Sequence, residues 1–151
     1  GTGPGFFAIL LRELGCVVTA IDLTRAMLAE AKENAGPLAD EICFMEMNAE
    51  ALSFAPERFD AVISRNLTWN LPHPDRAYAE WTRVLKKGGI FAIHDLMEPS
   101  RYGDMDDFLR KLREEGFQEA RLLPTADGTF MTRGEGKRLF LSGSTLLVGR
   151  K

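Results

Sequence analysis

Three glycines stand at every second position of the opening GTGPGFFA: Gly1, Gly3 and Gly5. Glycine takes left-handed turns without strain and lets a ligand lie close against the backbone. A turn of this kind that runs into a helix aims N–H groups outward, a setting that favours a phosphate or a carboxylate. Asp22 comes 17 residues after Gly5, at the end of the apolar run CVVTAID. An ionised carboxylate there can accept two hydrogen bonds from a diol, or it can cap the helix that follows. Polar residues also gather after two later apolar runs, with Arg65, Asn66 and Trp69 behind DAVIS and His94 and Asp95 ending GIFAIHD. His94 and Asp95 are the candidates for acid–base work. The alternatives are inward packing for His94, capping for Asp95 and core cover for Trp69.

These residues need elements to hold them. Phe7, Leu10, Leu11 and Leu14 fall on one helical stripe, with Pro4 near its start and Gly15 at its stop. CVVTAID is a compact β-branched run suited to a buried parallel strand. LTRAMLAEAKENAGP then reads as a helix with Thr24 as N-cap, Met27, Leu28 and Ala31 inside, and Gly36-Pro37 as terminator. EICFMEM and DAVIS read as two further strands. A helix starting at His73 or Asp75 buries Ala77, Trp81, Val84 and Leu85, places Lys86-Lys87 at its C-terminal end and stops at Gly88-Gly89. The strand GIFAIHD follows, and then a helix from about Asp104 with Met105, Phe108, Leu109 and Leu112 on one face and Gly116 as cap. FQEARLLP and RLFLSGSTLLVG read as an antiparallel pair, since no helix separates them. Between them lies a long loop, residues 125–138, in which Phe130 and Arg133 are candidates for one wall of a substrate pocket.

Alternating strands and helices predict a Rossmann-like α/β fold, doubly wound, with a mostly parallel sheet and a C-terminal antiparallel hairpin. At 151 residues the chain is the size of one domain. A net charge of −3 and the lack of any long basic run leave out the electrostatic footprint of a nucleic-acid binder. No apolar run reaches the length of a membrane span, and no signal peptide is visible. Cys16 and Cys43 match no metal or redox spacing, so buried thiols in a reducing cytoplasm are expected, with no metal.

The glycine spacing separates two ligand classes. A dinucleotide turn of the form G-x-G-x-x-G would place its third glycine at Phe6, where close packing wants a small residue. The actual pattern, Gly1, Gly3, Gly5, resembles the first motif of the class I S-adenosylmethionine-dependent methyltransferases, an acidic residue, one residue, then G-x-G-x-G. MNAEALSF resembles the family stretch Asp-Ala-Glu-Ala-Leu-Pro-Phe, with Asn48 in place of the acid. SRNLTWNLPHPDRAYAEWTRVLKKGGIFAIHD is closely similar to the family's fourth-strand, helix and fifth-strand run. The resemblance extends from Gly1 to Lys151.

That resemblance implies S-adenosylmethionine as cofactor, held by Gly1, Gly3, Gly5, Asp22, Leu23, Met27, Asn48, Ala49 and Arg65. Asp22 would take the ribose, Leu23 and Met27 would pack near the adenine, and the Asn48 amide oxygen would accept from the adenine amino group. It also implies a small-molecule methyl acceptor, with Asn66, Trp69, Phe130 and Arg133 as its contacts, and cytoplasmic action without nucleic acid or membrane. The catalytic residue stays unassigned, and oligomeric state is unreadable. The family's first strand, with the acidic residue of the motif, would precede Gly1 and is missing from this chain. Without it two strand edges and a large apolar surface would be exposed, and low stability and near-inactivity are expected of residues 1–151 alone. A noncatalytic binding module, a nicotinamide oxidoreductase and a nucleic-acid methyltransferase remain the alternatives.

Overall fold

The structure is a computed structural model that describes residues 1–96, 110, 114, 121–124, 129–131, 138–140 and 144–150. Two compact units divide the chain, the first made of 1–55 and 72–81, the second of 56–71 and 82–151.

In the first unit, α1 (Phe6–Glu13) leads to β1 (Val18–Asp22), α2 (Arg25–Ala35), a 3-10 turn (Gly36–Glu41) and β2 (Ile42–Glu46). β1 and β2 pair in parallel, Val18 with Ile42 through Asp22 with Glu46. Strict alternation along β1 turns Val18, Ala20 and Asp22 to the buried side, so the carboxylate is the last residue of an inward-facing row. Leu28, Ala31 and Ala35 give α2 its buried stripe. Ala8, Val18, Ala20, Ala35 and Ile42 form one apolar cluster, with Ile9, Leu11 and Phe44 packed against it. Ala77, Tyr78 and Trp81 of α3 (Pro74–Val84) are buried as well, and the Tyr78 and Trp81 rings meet edge to face at 5.5 Å.

The second unit carries β3 (Phe59–Arg65) and β4 (Leu85–Leu96), paired in parallel. β8 (Ser144–Arg150) lies antiparallel to β4, and β5 (Arg121–Pro124) lies antiparallel to β8, giving the order β3-β4-β8-β5. The expected α/β class, parallel pairing and C-terminal antiparallel pair are all present. Phe91 and Ile93 are buried on β4 with Leu85 and Val84.

Several expectations need correction. Cys16 and Cys43 are exposed, not buried. β1 begins only at Val18, which leaves Cys16 in the preceding turn, and Cys43 alternates with the buried Ile42. On α1 the buried residue is Ala8, while Leu10 and Leu14 of the anticipated stripe are exposed, because the helix packs through its Ala8–Ile9–Leu11 side. The Lys86-Lys87-Gly88-Gly89 segment does not end a helix. α3 stops at Val84 and these residues form a bulged start to β4, between the pairs Phe59–Leu85 and Ala61–Ile90, with Gly88 at φ +76. Lys86 there pairs with Asp60 at 2.8 Å.

RLFLSGSTLLVG is not one strand. Its start is β7 (Arg138–Phe140), which pairs antiparallel with β6 (Thr129–Met131), and only its end belongs to β8. Phe130 therefore sits in a strand, in register with Leu139. Arg133 and most of the helix expected from Asp104 lie outside the described residues, although Arg110 and Glu114 are helical and form an i, i+4 ion pair.

Candidate functional site

The opening turn is fastened to the end of β1. Thr2 N–H donates to the Ile21 carbonyl at 2.7 Å, and Gly3 N–H donates to the Asp22 carboxylate (Oδ2) at 2.9 Å. The other carboxylate oxygen, Oδ1, accepts from Thr24 N–H at 3.0 Å and from the Thr24 hydroxyl at 3.2 Å. Thr24 is thus the N-cap residue of α2 by position, but its hydroxyl serves Asp22 instead of the helix. Burial alone pushes the Asp22 pKa up. The Gly3 and Thr24 backbone donors, the nearby N-terminal charge and the Thr24 hydroxyl together outweigh it and hold the carboxyl below its ordinary value, so Asp22 is ionised at neutral pH. Diol binding and capping were alternatives at the level of sequence. The structure shows a third use, the tethering of the glycine turn, and this leaves acceptor capacity on Oδ2 for a ligand.

The three glycines do different work. Gly5, at φ +89, is the N-cap of α1, and a Cβ there would stand 3.0 Å from the Ala31 Cβ, so its bareness lets α1 approach α2. Gly3, at φ +52, would direct a Cβ into open space with nothing within 4 Å. The face beside Gly3 is therefore open, which leaves room for close approach of a ligand to the backbone. Gly1 is exposed. Phe6 is half-buried and meets Phe7 edge to face at 5.2 Å.

Beside β1, the chain leaving β2 brings the next candidates. Met47 N–H donates to the Asp22 carbonyl at 2.9 Å, which carries the parallel pairing one step past the strands. Asn48 comes next and is exposed, and its Oδ1 accepts from Glu50 N–H at 2.9 Å. Ala49 is buried, Met27 half-buried and Leu23 exposed. Two carboxylates then hold this loop against the segment around α3. Glu50 accepts from His73 N–H and Glu80 accepts from Leu52 N–H, each at 2.7 Å. Glu50 and Glu80 were missed by the sequence reading. Glu50 lies within the MNAEALSF resemblance, but nothing local marks Glu80, whose partner is 28 residues away.

Among the residues of the second unit, Arg65 and His94 are register partners on β3 and β4, and Asn66 N–H donates to the His94 carbonyl at 2.9 Å. Asn66 has φ +52, a left-handed conformation that asparagine tolerates better than most residues. His94 is 2% exposed, which fits the packing alternative better than service as a base to a solvent-borne substrate. Trp69 stands 40% exposed in a short 3-10 turn. Asp95 is on β4 opposite Thr145. Among the described residues no group of acidic, histidine or cysteine side chains could hold a metal ion, and no helix is long and apolar enough to cross a membrane.

Gly1, Gly3, Gly5, Asp22, Leu23, Met27, Asn48 and Ala49 thus fall in one unit, around the carboxyl ends of adjacent parallel strands, the usual place for a ligand in this architecture. A family model described as a methyltransferase domain matches residues 1–93. The ubiquinone/menaquinone biosynthesis C-methyltransferase UbiE of Bartonella bacilliformis is 40% identical over 94 residues, 60% of this chain and 36% of that protein. The chain spans well under half the length of the curated relatives it matches, 37% and 40% for two of them. Among solved structures, the complex between the Haloferax volcanii Trm112 methyltransferase activator and its proposed methyltransferase matches with a TM-score of 0.80 at 20% identity, covering 99% of this chain and 79% of that one. The [4+2]-cyclase SpnF matches with a TM-score of 0.67 at 26% identity, covering 82% of this chain and 50% of that one.

Proposed function

The chain belongs to the methyltransferase-domain family, and from that premise we propose that it binds S-adenosylmethionine and transfers the methyl group to a small-molecule acceptor. The observation that carries the reading is the hydrogen bond from Gly3 N–H to the Asp22 carboxylate. It joins the glycine turn and the acidic strand end, two features 19 residues apart, into one binding surface at the carboxyl end of β1.

When bound, the cofactor would supply a methyl group made electrophilic by its sulfonium, the carbon–sulfur bond breaking and the neutral thioether leaving as the acceptor's nucleophile bonds to the methyl carbon. The chain's own residues bind and orient. The open face beside Gly3 accepts the cofactor closely, and the α1 N-terminus that follows Gly5 favours its carboxylate by about 0.3–1 kcal/mol. Asp22, kept ionised by its backbone donors, offers the remaining acceptor capacity of Oδ2 to a ribose hydroxyl. Leu23, Met27, Asn48 and Ala49 serve the purine. Asn66 and Trp69, with Phe130 and Arg133, are assigned to the acceptor, and no residue is assigned as base. Positioning alone can lower such a barrier by about 7–11 kcal/mol, so the reaction does not require one when the nucleophile carries no tightly held proton.

The likeness to the C-methyltransferase UbiE favours a carbon atom of a small molecule as acceptor, whose displaced proton would pass to solvent. The test is calorimetric titration of the full-length protein with S-adenosylhomocysteine, followed by its incubation with methyl-labelled cofactor and a metabolite extract. Micromolar binding and a labelled small molecule are expected. Binding without labelled product would overturn the transfer reaction, and absence of binding would overturn the cofactor assignment.

A further inference from the structure

Asn48 is locked in one orientation. Its Oδ1 faces the N–H of Glu50 at 2.9 Å, and a backbone N–H can only donate, so the atom facing it is the oxygen. The Nδ2 amino group, with its two hydrogens, is consequently turned away from the turn. The turn itself is pinned three ways: Ala51 N–H donates to the Asn48 carbonyl at 3.1 Å, Glu50 holds His73, and Glu80 holds Leu52. Asn48 is exposed, and it stands two residues beyond Glu46, the register partner of Asp22. The group offered outward beside the Asp22 strand end is therefore an amide that carries N–H donors together with the second lone pair of Oδ1.

An aspartate in the same turn would also take the Glu50 N–H on one oxygen, but would present only acceptors outward. The two residues differ in what they can meet at position 6 of a purine. An acceptor suits an amino group and repels a carbonyl. An amide suits either, because its N–H can donate to a carbonyl oxygen or to a ring nitrogen.

We propose that Asn48 is a specificity-determining residue that relaxes the purine requirement of this site, so that a 6-oxo purine is accepted in place of adenine. The inference rests on the cofactor reading above. It is tested by calorimetric titration of the full chain and of Asn48→Asp with S-adenosylhomocysteine and with S-inosylhomocysteine. The wild-type chain should discriminate against the inosyl compound by less than about fivefold, and Asn48→Asp should widen that ratio by about fivefold or more, the loss of one hydrogen bond with an acceptor set against an acceptor. Asn48→Ala, which removes both kinds of group, should weaken the two ligands alike. Binding of the adenosyl compound with a wild-type ratio of about fivefold or more, or an unchanged ratio in Asn48→Asp, overturns the role of Asn48 and leaves the cofactor reading standing. Failure of both compounds to bind the wild-type chain overturns both.

Discussion

Asp22→Asn exchanges one carboxylate oxygen for an amino group in a side chain that accepts three hydrogen bonds, from Gly3 N–H, Thr24 N–H and the Thr24 hydroxyl. The amide oxygen can keep the Thr24 pair, but its nitrogen then faces the Gly3 N–H across 2.9 Å, donor against donor. A charge-assisted hydrogen bond of this type contributes about 1.5–3 kcal/mol. Burial opposes the charge that asparagine removes, which moves the expected loss to the lower end, about 1.5 kcal/mol. The effect has a pH signature. Asp22 ionises more readily in the folded than in the unfolded chain, so its contribution is complete above the ordinary value of 3.8 and disappears as pH falls through the lower folded-state value. Urea unfolding of both proteins, repeated at intervals from about pH 7 to pH 3, should give a gap that is constant near neutrality and narrows in acid. Amide exchange at Gly3 should also accelerate in the variant. No gap at neutral pH, or a gap that does not narrow in acid, would refute the tether.

The other glycines separate packing from binding. Gly5→Ala sets a methyl 3.0 Å from the Ala31 Cβ at φ +89, and should cost about 2–3 kcal/mol in urea unfolding. Gly3→Ala, with open space around its Cβ, should cost only about 1–2 kcal/mol for its left-handed backbone yet weaken S-adenosylhomocysteine binding at least about tenfold by calorimetry. Equal losses of affinity in the two variants, once stability is matched, would contradict that division. Glu80→Gln replaces a charged acceptor for Leu52 N–H by a neutral one, and should lower stability by about 1 kcal/mol while speeding amide exchange at Leu52 ahead of residues on β1. Uniform acceleration across the first unit would show that Glu80 does not act on this loop.

What could be read from the sequence was what short-range pattern controls. The β1 and β2 runs, the burial of Leu28 and Ala31 on α2, and that of Ala77, Trp81 and Val84 on α3 follow from spacing alone, whereas Met27 is only half-buried and Leu85 is buried on β4, not on the helix. The glycine turn and Asp22 were legible for the same reason, since residue type and position in the element announce them. Legibility fails where a distant partner decides. The Leu10 and Leu14 stripe was readable as helical, but which side of α1 packs depends on small residues such as Ala8 meeting β1 and β2. Lys86-Lys87-Gly88-Gly89 has the composition of a helix end, and the Phe59–Leu85 pairing draws it into β4 instead. The occupation of Asn48 Oδ1 by its own turn is visible only in the folded chain, because asparagine at a strand end is equally suited to facing a ligand.

The contacts that assemble the glycine turn are short in sequence. Thr2 reaches Ile21, Gly3 reaches Asp22, and Asp22 reaches Met47. The β4–β8 ladder instead joins Leu96 to Ser144 and Ile90 to Arg150, closing much longer stretches of chain. Loop-closure entropy therefore delays that ladder relative to the turn, as it does in other folds rich in distant pairings. Pulse-labelled amide exchange during refolding should protect Gly3 and Met47 before Leu146 and Val148, and the reverse order would exclude this sequence of events. The glycine turn would then be in place while the C-terminal strands are still searching for their register, so that a ligand bound there could bias the rest of folding.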